Sequence, residues 1–185
     1  TGANDGSSEA NAWQTPAAVI AAVAAGNRVN IKKQSSAYNL TSSVTFNVNG
    51  TILAPIWYRC YTSTIGDGGL WECAYNSGGA ANLKFTGNYN YVEGVSLYKG
   101  ASANLNDFSV EGVDSVAIRC KIVLQCNSGT VFIMSARRCW FEVNGSSSGT
   151  ISVQGTNAQN VHFDQCVFYK KTSTAGNVVL VDTYG

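Results

Sequence analysis

Short stretches in which apolar and polar residues alternate follow one another through most of this chain. In residues 161–168, Val-His-Phe-Asp-Gln-Cys-Val-Phe, two apolar residues alternate with a polar one, a polar pair interrupts them, and further apolar residues follow. Similar stretches occupy residues 90–97, 116–122 and 134–141. Aligning the stretches gives one column, Val95, Cys120, Cys139 and Cys166, at intervals of 25, 19 and 27 residues. Such intervals predict the turns of a parallel coil, whose neighbours share a continuous core.

A short helix is predicted before the strands begin. Thr15 is a suitable N-cap, Pro16 suits the first helical position, and Gly26 fits just past the end. The segment between them is rich in alanine, and its larger apolar residues, Val19, Ile20 and Val23, form one stripe. We expect this stripe to cover the end of a sheet or coil, whose unpaired backbone would otherwise attract another strand.

The remaining pattern predicts strands joined by short loops. Residues 28–32 and 44–48 alternate, whereas residues 35–39 are typical of a turn. Pro55 interrupts the apolar segment 51–61, which places it at a sheet edge, a strand start or a bend. Residues 65–69 read as a loop and residues 70–75 as a short strand. From Leu83 onward we predict two strand types in each turn, although the pattern does not place the first strand between Cys120 and Cys139.

Composition agrees with turn-rich β-structure in a single domain. The 185 residues are 45% apolar but only 12% charged, and 19 are glycine. We assign residues 1–27 to an N-terminal cap of loop and helix, and residues 28–185 to the β-coil. A net charge of +1 without a clustered basic face argues against nucleic acid as a partner. The sequence has no apolar run long enough to predict a membrane span.

Three of the six cysteines are predicted to serve as core residues. Cys120, Cys139 and Cys166 occupy the repeating column, where a free thiol acts as a small apolar side chain. A bridge between stacked strands is geometrically marginal, so free thiols are favoured over disulfides. The pairing of Cys60, Cys73 and Cys126 stays open.

Two features together resemble a known superfamily. The opening, with Asp5-Gly-Ser-Ser, Ala12-Trp13, the alanine-rich helix and Gly26-Asn-Arg-Val-Asn-Ile, resembles that of many right-handed parallel β-helix proteins. The pattern Asn/Val-x-Phe-x-x-Cys-x-Phe is similar to repeats of the pectate-lyase-like superfamily, which includes bacteriophage tailspikes, tail fibres and head-decoration proteins, surface adhesins and polysaccharide lyases. The resemblance implies an all-β fold, a right-handed parallel β-helix solenoid with a short N-terminal capping α-helix. It implies no single activity, since fold does not fix function.

Candidate chemistry is sought among the residues beside the column. A mixed-charge contact ridge is predicted on the outer face, formed by Glu93, Arg119, Arg137, Arg138, Trp140 and Asp164. Arg137 is expected to face Asp164 on the next turn, and such exposed pairs contribute only about 0–1 kcal/mol. The ridge is interpreted as a self-compensating solvated surface or, alternatively, as a sugar or protein contact surface with Trp140 as the stacking plane.

No catalytic, metal or cofactor site is predicted. A glycosidase needs two carboxylates about 5–9 Å apart, and Glu142 and Asp164, on opposite sides of the column, are expected to be too far apart. The only histidine, His162, shares the outward side with Asp164, which most simply makes them a surface pair. Neither paired Cys-x-x-Cys spacing nor a cluster of acidic residues is present.

These observations favour a non-enzymatic structural component of an extracellular assembly. The first choice is a phage virion protein such as a decoration, fibre or spike protein, located on the virion surface and associated with other subunits in a homotrimer or larger assembly. The alternatives are a polysaccharide-binding or polysaccharide-degrading β-helix protein and a bacterial surface adhesin, which would be secreted or on the cell surface. Residues 177–182 read as the start of a further turn, so we expect that end to be covered by another chain or continued by further sequence.

Overall fold

The described part of the chain is mostly β-strand with one short helix, which confirms the all-β class. The computed structural model describes residues 6–75, 81–99, 108–124, 131–133, 135–143, 151–156, 162–170 and 178–184. Within these ranges the strands form three parallel sheets of six strands each, and every strand pairs with the strands three places before and after it. Each repeat of the sequence therefore contributes one strand to each sheet.

The strand bounds follow the sheets. Sheet A contains β1 (Arg28–Lys32), β4 (Ile56–Tyr61), β7 (Asn90–Glu93), β10 (Val116–Ile118), β13 (Ser135–Arg137) and β16 (His162–Asp164). Sheet B contains β2 (Tyr38–Asn39), β5 (Trp71–Tyr75), β8 (Val95–Lys99), β11 (Lys121–Leu124), β14 (Trp140–Val143) and β17 (Val167–Lys170). Sheet C contains β3 (Val44–Phe46), β6 (Leu83–Phe85), β9 (Phe108–Val110), β12 (Val131–Ile133), β15 (Ile151–Thr156) and β18 (Val178–Tyr184).

The prediction of two strands per repeat is wrong, because there are three. Each aligned stretch is two strands separated by a sharp bend, as at β16 and β17, which flank Gln165. Residues 35–39 are likewise not only a turn, since Tyr38 and Asn39 form β2 and pair with Cys73 and Ala74. The strand that the pattern could not place between Cys120 and Cys139 is β12, the sheet C strand of that repeat, and Pro55 directly precedes β4 at a strand start.

The helix α1 (Pro16–Ala22) begins as predicted but is shorter than expected. The side chain of Thr15 accepts a hydrogen bond from the Ala18 amide, and Pro16 occupies the first turn. The helix ends before Val23, which is extended and only 7% exposed. Asn27 then closes the connection, because its Oδ1 accepts from the Ala24 amide at 2.8 Å. Val19 and Ile20 pack against the core and α1 contacts β3, the edge strand of sheet C, as expected of a stripe that covers the end of a sheet.

The core is built from columns of inward-facing residues, one column for each sheet. In sheet C the rings of Phe46 and Phe85 stack with centroids 4.7 Å apart. In sheet B the rings of Phe141 and Phe168 stack with centroids 5.1 Å apart. These columns arise because parallel, in-register strands place equivalent residues of successive repeats above one another.

Bends with left-handed backbone connect sheet A to sheet B. Four residues, which we call the A–B bend, share this conformation: Gly94, Arg119, Arg138 and Gln165 have φ values of 79°, 51°, 55° and 53°. The residue after each bend is the predicted column, and Val95, Cys120 and Cys139 are at most 2% exposed. The register places these positions side by side in successive repeats, which confirms the alignment of the column.

The bend between sheets C and A is fixed by asparagine side chains. Asn49 Oδ1 accepts from the Asn88 amide at 2.9 Å, and Asn88 Oδ1 accepts from the Val113 amide at 2.9 Å. Successive repeats are also in close contact here, since a Cβ on Gly87 would lie 1.9 Å from the carbonyl oxygen of Val48. Only glycine therefore fits at residue 87, because any Cβ would clash with the backbone of the preceding repeat.

Candidate functional site

The structure places the six predicted ridge residues along the A–B bend. Glu93, Arg137 and Asp164 end strands of sheet A at equivalent positions, with Ile118 between Glu93 and Arg137. Arg119 and Arg138 are bend residues, and Trp140 begins β14 beside Lys121. The ridge is therefore continuous over the last four repeats of sheet A, although its members form separate pairs rather than one cluster.

Glu93 lies in a clasp of two arginines. Its Oε2 accepts from Arg59 Nε at 2.9 Å, and its Oε1 accepts from Arg119 Nη2 at 2.6 Å and Nε at 3.2 Å. The Glu93 side chain is 13% exposed, whereas those of Arg59 and Arg119 are 31% and 33% exposed. Three successive repeats are joined by this carboxylate, so its first role is to hold β4, β7 and the Arg119 bend together.

A carboxylate-centred loop packs beside this clasp. Asp67 accepts hydrogen bonds from the backbone amides of Thr62, Ser63, Thr64 and Gly69. These amides, that of Ser63 most strongly, hold the pKa of the Asp67 carboxyl below its usual range. A Cβ on Gly68 would lie 2.3 Å from Arg119 Nη1, so the loop rests directly on the guanidinium. The loop therefore shields one side of the clasp.

The outer part of the ridge is more loosely paired. Arg137 Nε lies 3.4 Å from Asp164 Oδ2, as expected from the sequence, with the side chains 60% and 40% exposed. Arg138 Nε donates to Gln165 Oε1 at 3.0 Å. Both contacts connect neighbouring repeats at the surface, where ion pairs contribute little to stability.

Aromatic side chains lie on both sides of the bend. On sheet B, Trp140 and Tyr169 have centroids 5.8 Å apart and are 37% and 44% exposed, and Trp140 Nε1 donates to Glu142 Oε2 at 3.1 Å. On sheet A, the rings of Trp57 and Tyr91 meet edge to face with centroids 4.8 Å apart, and the Arg59 guanidinium carbon lies 5.5 Å from the centroid of the Trp57 ring. Trp140 is thus a surface aromatic whose indole N–H is hydrogen-bonded to a neighbouring carboxylate.

The cysteines of the described residues are free thiols, which confirms the prediction for Cys120, Cys139 and Cys166 and shows that Cys60 and Cys73, whose pairing was open, are free as well. Cys60, Cys73, Cys120 and Cys139 are buried, Cys166 is half-buried, and Cys126 lies outside the described residues. The thiols of Cys120, Cys139 and Cys166 each donate to a sheet A carbonyl of the preceding repeat at 3.4–3.5 Å. Burial raises the pKa of Cys60 to about 12, so the thiolate needed for nucleophilic chemistry is disfavoured.

The described residues do not assemble the other chemistry considered. His162 is exposed on β16 and Asp164 follows two residues later, whereas Glu142 lies on sheet B and is bonded to Trp140. Within the described ranges, no three His, Cys, Asp or Glu side chains group closely enough to hold a metal ion. The one helix found there, α1, does not have the length and apolar character needed to span a bilayer.

Sequence reasoning missed Arg59 and Asp67. Arg59 is the partner of Glu93, but 34 residues separate them. The segment that contains Arg59 precedes the aligned stretches and was not part of the repeat seen in the sequence. One signal was available, since Arg59 is the only charged residue between Lys33 and Asp67. A lone charge in an apolar strand calls for a partner on an adjacent strand.

Comparisons with protein-family models, curated proteins and solved structures found no match to this chain.

Proposed function

We propose that this chain is a right-handed parallel β-helix solenoid that serves as a non-enzymatic structural component of an extracellular assembly. A phage virion protein, such as a decoration, fibre or spike protein, is the form we favour. The solenoid proposal is supported by the strand order, since each strand pairs with those three places away in all three sheets. Continuous stacking of this kind lets each repeat stabilise its neighbours.

The observation that carries the structural role is the internal pairing of the ridge. Glu93 is held by two arginines, Arg137 pairs with Asp164, and Arg138 donates to Gln165. A catalytic surface needs groups aimed at a substrate, with protonation states matched to the reaction. Here the charged groups are directed at one another across successive repeats, which favours a ridge that stabilises the stacked strands.

Immunogold labelling tests the assembly. An antibody raised against the purified chain should label virus particles from a culture of the source. Labelling of the cell surface with unlabelled particles would replace the virion proposal by the adhesin alternative. Absence of label from both, with the protein found free in the medium, would overturn the structural role.

A polysaccharide-binding role is the second candidate, and the surface aromatics support it. Trp140 and Tyr169 expose ring surface beside Glu142, and sugar rings commonly stack on such aromatic faces between polar groups. A glycan array on the full chain and on Trp140→Ala would test it. Binding that disappears in Trp140→Ala but persists in Trp57→Ala would favour this role and place the site on sheet B.

A further inference from the structure

The first strand of sheet A has an edge that no other strand covers. Within the described residues β1 is the end strand of its sheet and pairs with β4 alone. The end strand of sheet B, β2, has only two residues, and that of sheet C, β3, is contacted by α1. Shortness and a covering helix both protect a sheet edge from added strands. The five residues of β1 instead line a cavity.

Backbone groups of alternate residues in β1 are directed to this edge. The Lys33 amide, directly after the strand, donates to the Tyr61 carbonyl of β4 at 2.7 Å. Since successive residues of a strand direct their N–H and C=O groups to opposite sides, those of Arg28, Asn30 and Lys32 point away from β4. In the part of the chain that the structure describes, no hydrogen bond to these outward groups is found. An additional strand would satisfy them.

The cavity runs along this edge rather than over one face of the sheet. Its volume is about 980 Å³, near the upper end of the range of ligand pockets, about 300–1,000 Å³. Residues 27–34 all line it. Because the side chains of a strand alternate between the two faces, a cavity that contacts every residue must lie at the edge. Residues 6–9, 12–16 and Val19 form another part of its wall, so the space lies between β1 and the N-terminal segment.

The wall of the cavity offers apolar and polar positions in alternation. Val29 belongs to the core, and the rings of Tyr38 and Trp71, which also line the cavity, have centroids 5.8 Å apart. Arg28 and Lys32 are exposed on the opposite face of the strand. The side chains of an added strand would alternate in the same way. Its apolar side chains would therefore meet the aromatic rings, and its polar side chains would lie beside the two cations.

One positive charge beside the edge has no acidic partner. Lys32 pairs with Glu9 of the N-terminal segment, and Lys33 pairs with Glu72. For Arg28, which is exposed, the described ranges supply no ion pair. The complementary group on an added strand is therefore a carboxylate placed near Arg28.

We propose that the free edge of β1 binds an extended peptide segment of a partner protein, which adds to sheet A as a further strand and places an acidic side chain beside Arg28. Main-chain hydrogen bonds to Arg28, Asn30 and Lys32 hold the peptide, and the alternating wall selects its side chains. Donors and acceptors that recur at every second residue match the backbone of another strand better than they match a compact ligand. The five residues of β1 span about 16 Å, which sets the length of the segment at about five residues. The site is independent of the proposed assembly role, since it depends on one sheet edge only.

Amide hydrogen exchange and NMR titration of the full chain test this site. The probe is the acetylated and amidated peptide Glu-Val-Thr-Val-Glu, and the control probe is Lys-Val-Thr-Val-Lys. In the free chain the amides of Arg28, Asn30 and Lys32 should exchange faster than those of Val29 and Ile31, which face β4. The acidic peptide should shift and protect the first three amides and leave the other two unchanged. The lysine peptide should bind at least about threefold more weakly, because it repels Arg28.

Two variants separate the backbone contacts from the charge. Asn30→Pro removes the central N–H of the edge without removing a hydrogen bond to β4, and it should abolish binding of the acidic peptide. Asn30→Ala is the matched control, since it keeps the N–H and should bind as the wild type does. Arg28→Gln should raise the dissociation constant of the acidic peptide by about two- to fivefold, as expected for one exposed ion pair.

The outcomes separate the possibilities. Protection of the three edge amides that is lost in Asn30→Pro and kept in Asn30→Ala, with unchanged thermal melts, supports the proposal. If Asn30→Pro does not fold, Arg28→Gln decides, and weakened binding of the acidic peptide alone supports it. The proposal is overturned if the acidic peptide at millimolar concentration leaves the edge amides unshifted, or if Arg28→Gln binds both peptides as the wild type does. Immunogold labelling reads the assembly role separately, so labelled particles without peptide binding reject this site alone.

Discussion

The Glu93 clasp allows a sharp test of whether the ridge is structural. Glu93→Gln keeps the size and shape of the side chain but removes its charge. Each carboxylate oxygen now faces a guanidinium of Arg59 or Arg119. Whichever way the new amide is oriented, its NH₂ group must face an arginine N–H, so at least one hydrogen bond is lost.

The magnitude follows from the exposure of the three side chains. Removing one partner of a fully buried ion pair costs about 3–5 kcal/mol, whereas an exposed pair contributes about 0–1 kcal/mol. Glu93 is 13% exposed, but its arginine partners are each about a third exposed and can be partly solvated when released. We therefore expect Glu93→Gln to lower the free energy of unfolding by about 1–3 kcal/mol.

Urea denaturation followed by tryptophan fluorescence measures this change. Asp164→Asn is the matched control, because its pair with Arg137 is 60% and 40% exposed with a contact of 3.4 Å. That variant should lose less than about 1 kcal/mol. If Glu93→Gln is no more destabilising than Asp164→Asn at an unchanged m-value, the clasp is not a stabilising feature and the reasoning fails.

Three other variants or measurements test the core and bends. Tyr58→Phe removes a buried hydroxyl that has no hydrogen-bond partner within the part of the chain described, so the free energy of unfolding should rise by about 1 kcal/mol. Burial raises the pKa of Tyr58 to about 12, above its unfolded-state value of about 10. The stability that this shift contributes is fully present below a pH of about 10 and is lost as pH rises towards 12, because unfolding then releases the phenol proton. Urea titrations at neutral and alkaline pH should therefore show a smaller loss of stability in the Phe variant. Gly87→Ala should lower the free energy of unfolding by about 1–3 kcal/mol, because its Cβ would meet the Val48 carbonyl, and a melt close to wild type would contradict this. Cys120 and Cys139, which are 1% and 2% exposed, should react with a water-soluble thiol reagent only after unfolding, and rapid labelling of the native chain would disprove their burial.

The columns of inward-facing residues were predictable because stacked repeats need apolar residues at equivalent positions of the sequence. Val95, Cys120 and Cys139 recur where each repeat needs an apolar residue just after a bend, and all three are buried. The Thr15 cap of α1 was equally visible, since an N-cap depends on residues close in sequence. Both signals are local or periodic, which is the kind of information that a single sequence carries well.

The bends were harder to predict, although a signal was present. Arg119, Arg138 and Gln165 adopt left-handed backbone without being glycine, so residue type did not mark them. A polar pair indicates the bend in two of the four stretches, since Arg137-Arg138 and Asp164-Gln165 stand where alternation stops and the chain turns from sheet A to sheet B. The two-residue strand β2 has no comparable sequence pattern, because it is formed by pairing with β5 in the next repeat rather than by local β-propensity.

The A–B bend also explains why the ridge exists. Left-handed backbone at a residue other than glycine costs about 1–2 kcal/mol, but the amides of Arg119 and Arg138 donate to the carbonyls of Arg137 and Asp164 in the next repeat, at 2.9 Å each. The ladder of hydrogen bonds thus continues through the bend, and the bend arginines project outward where they pair with acidic or amide groups. Charge on the ridge is therefore accounted for by the contacts that join successive repeats.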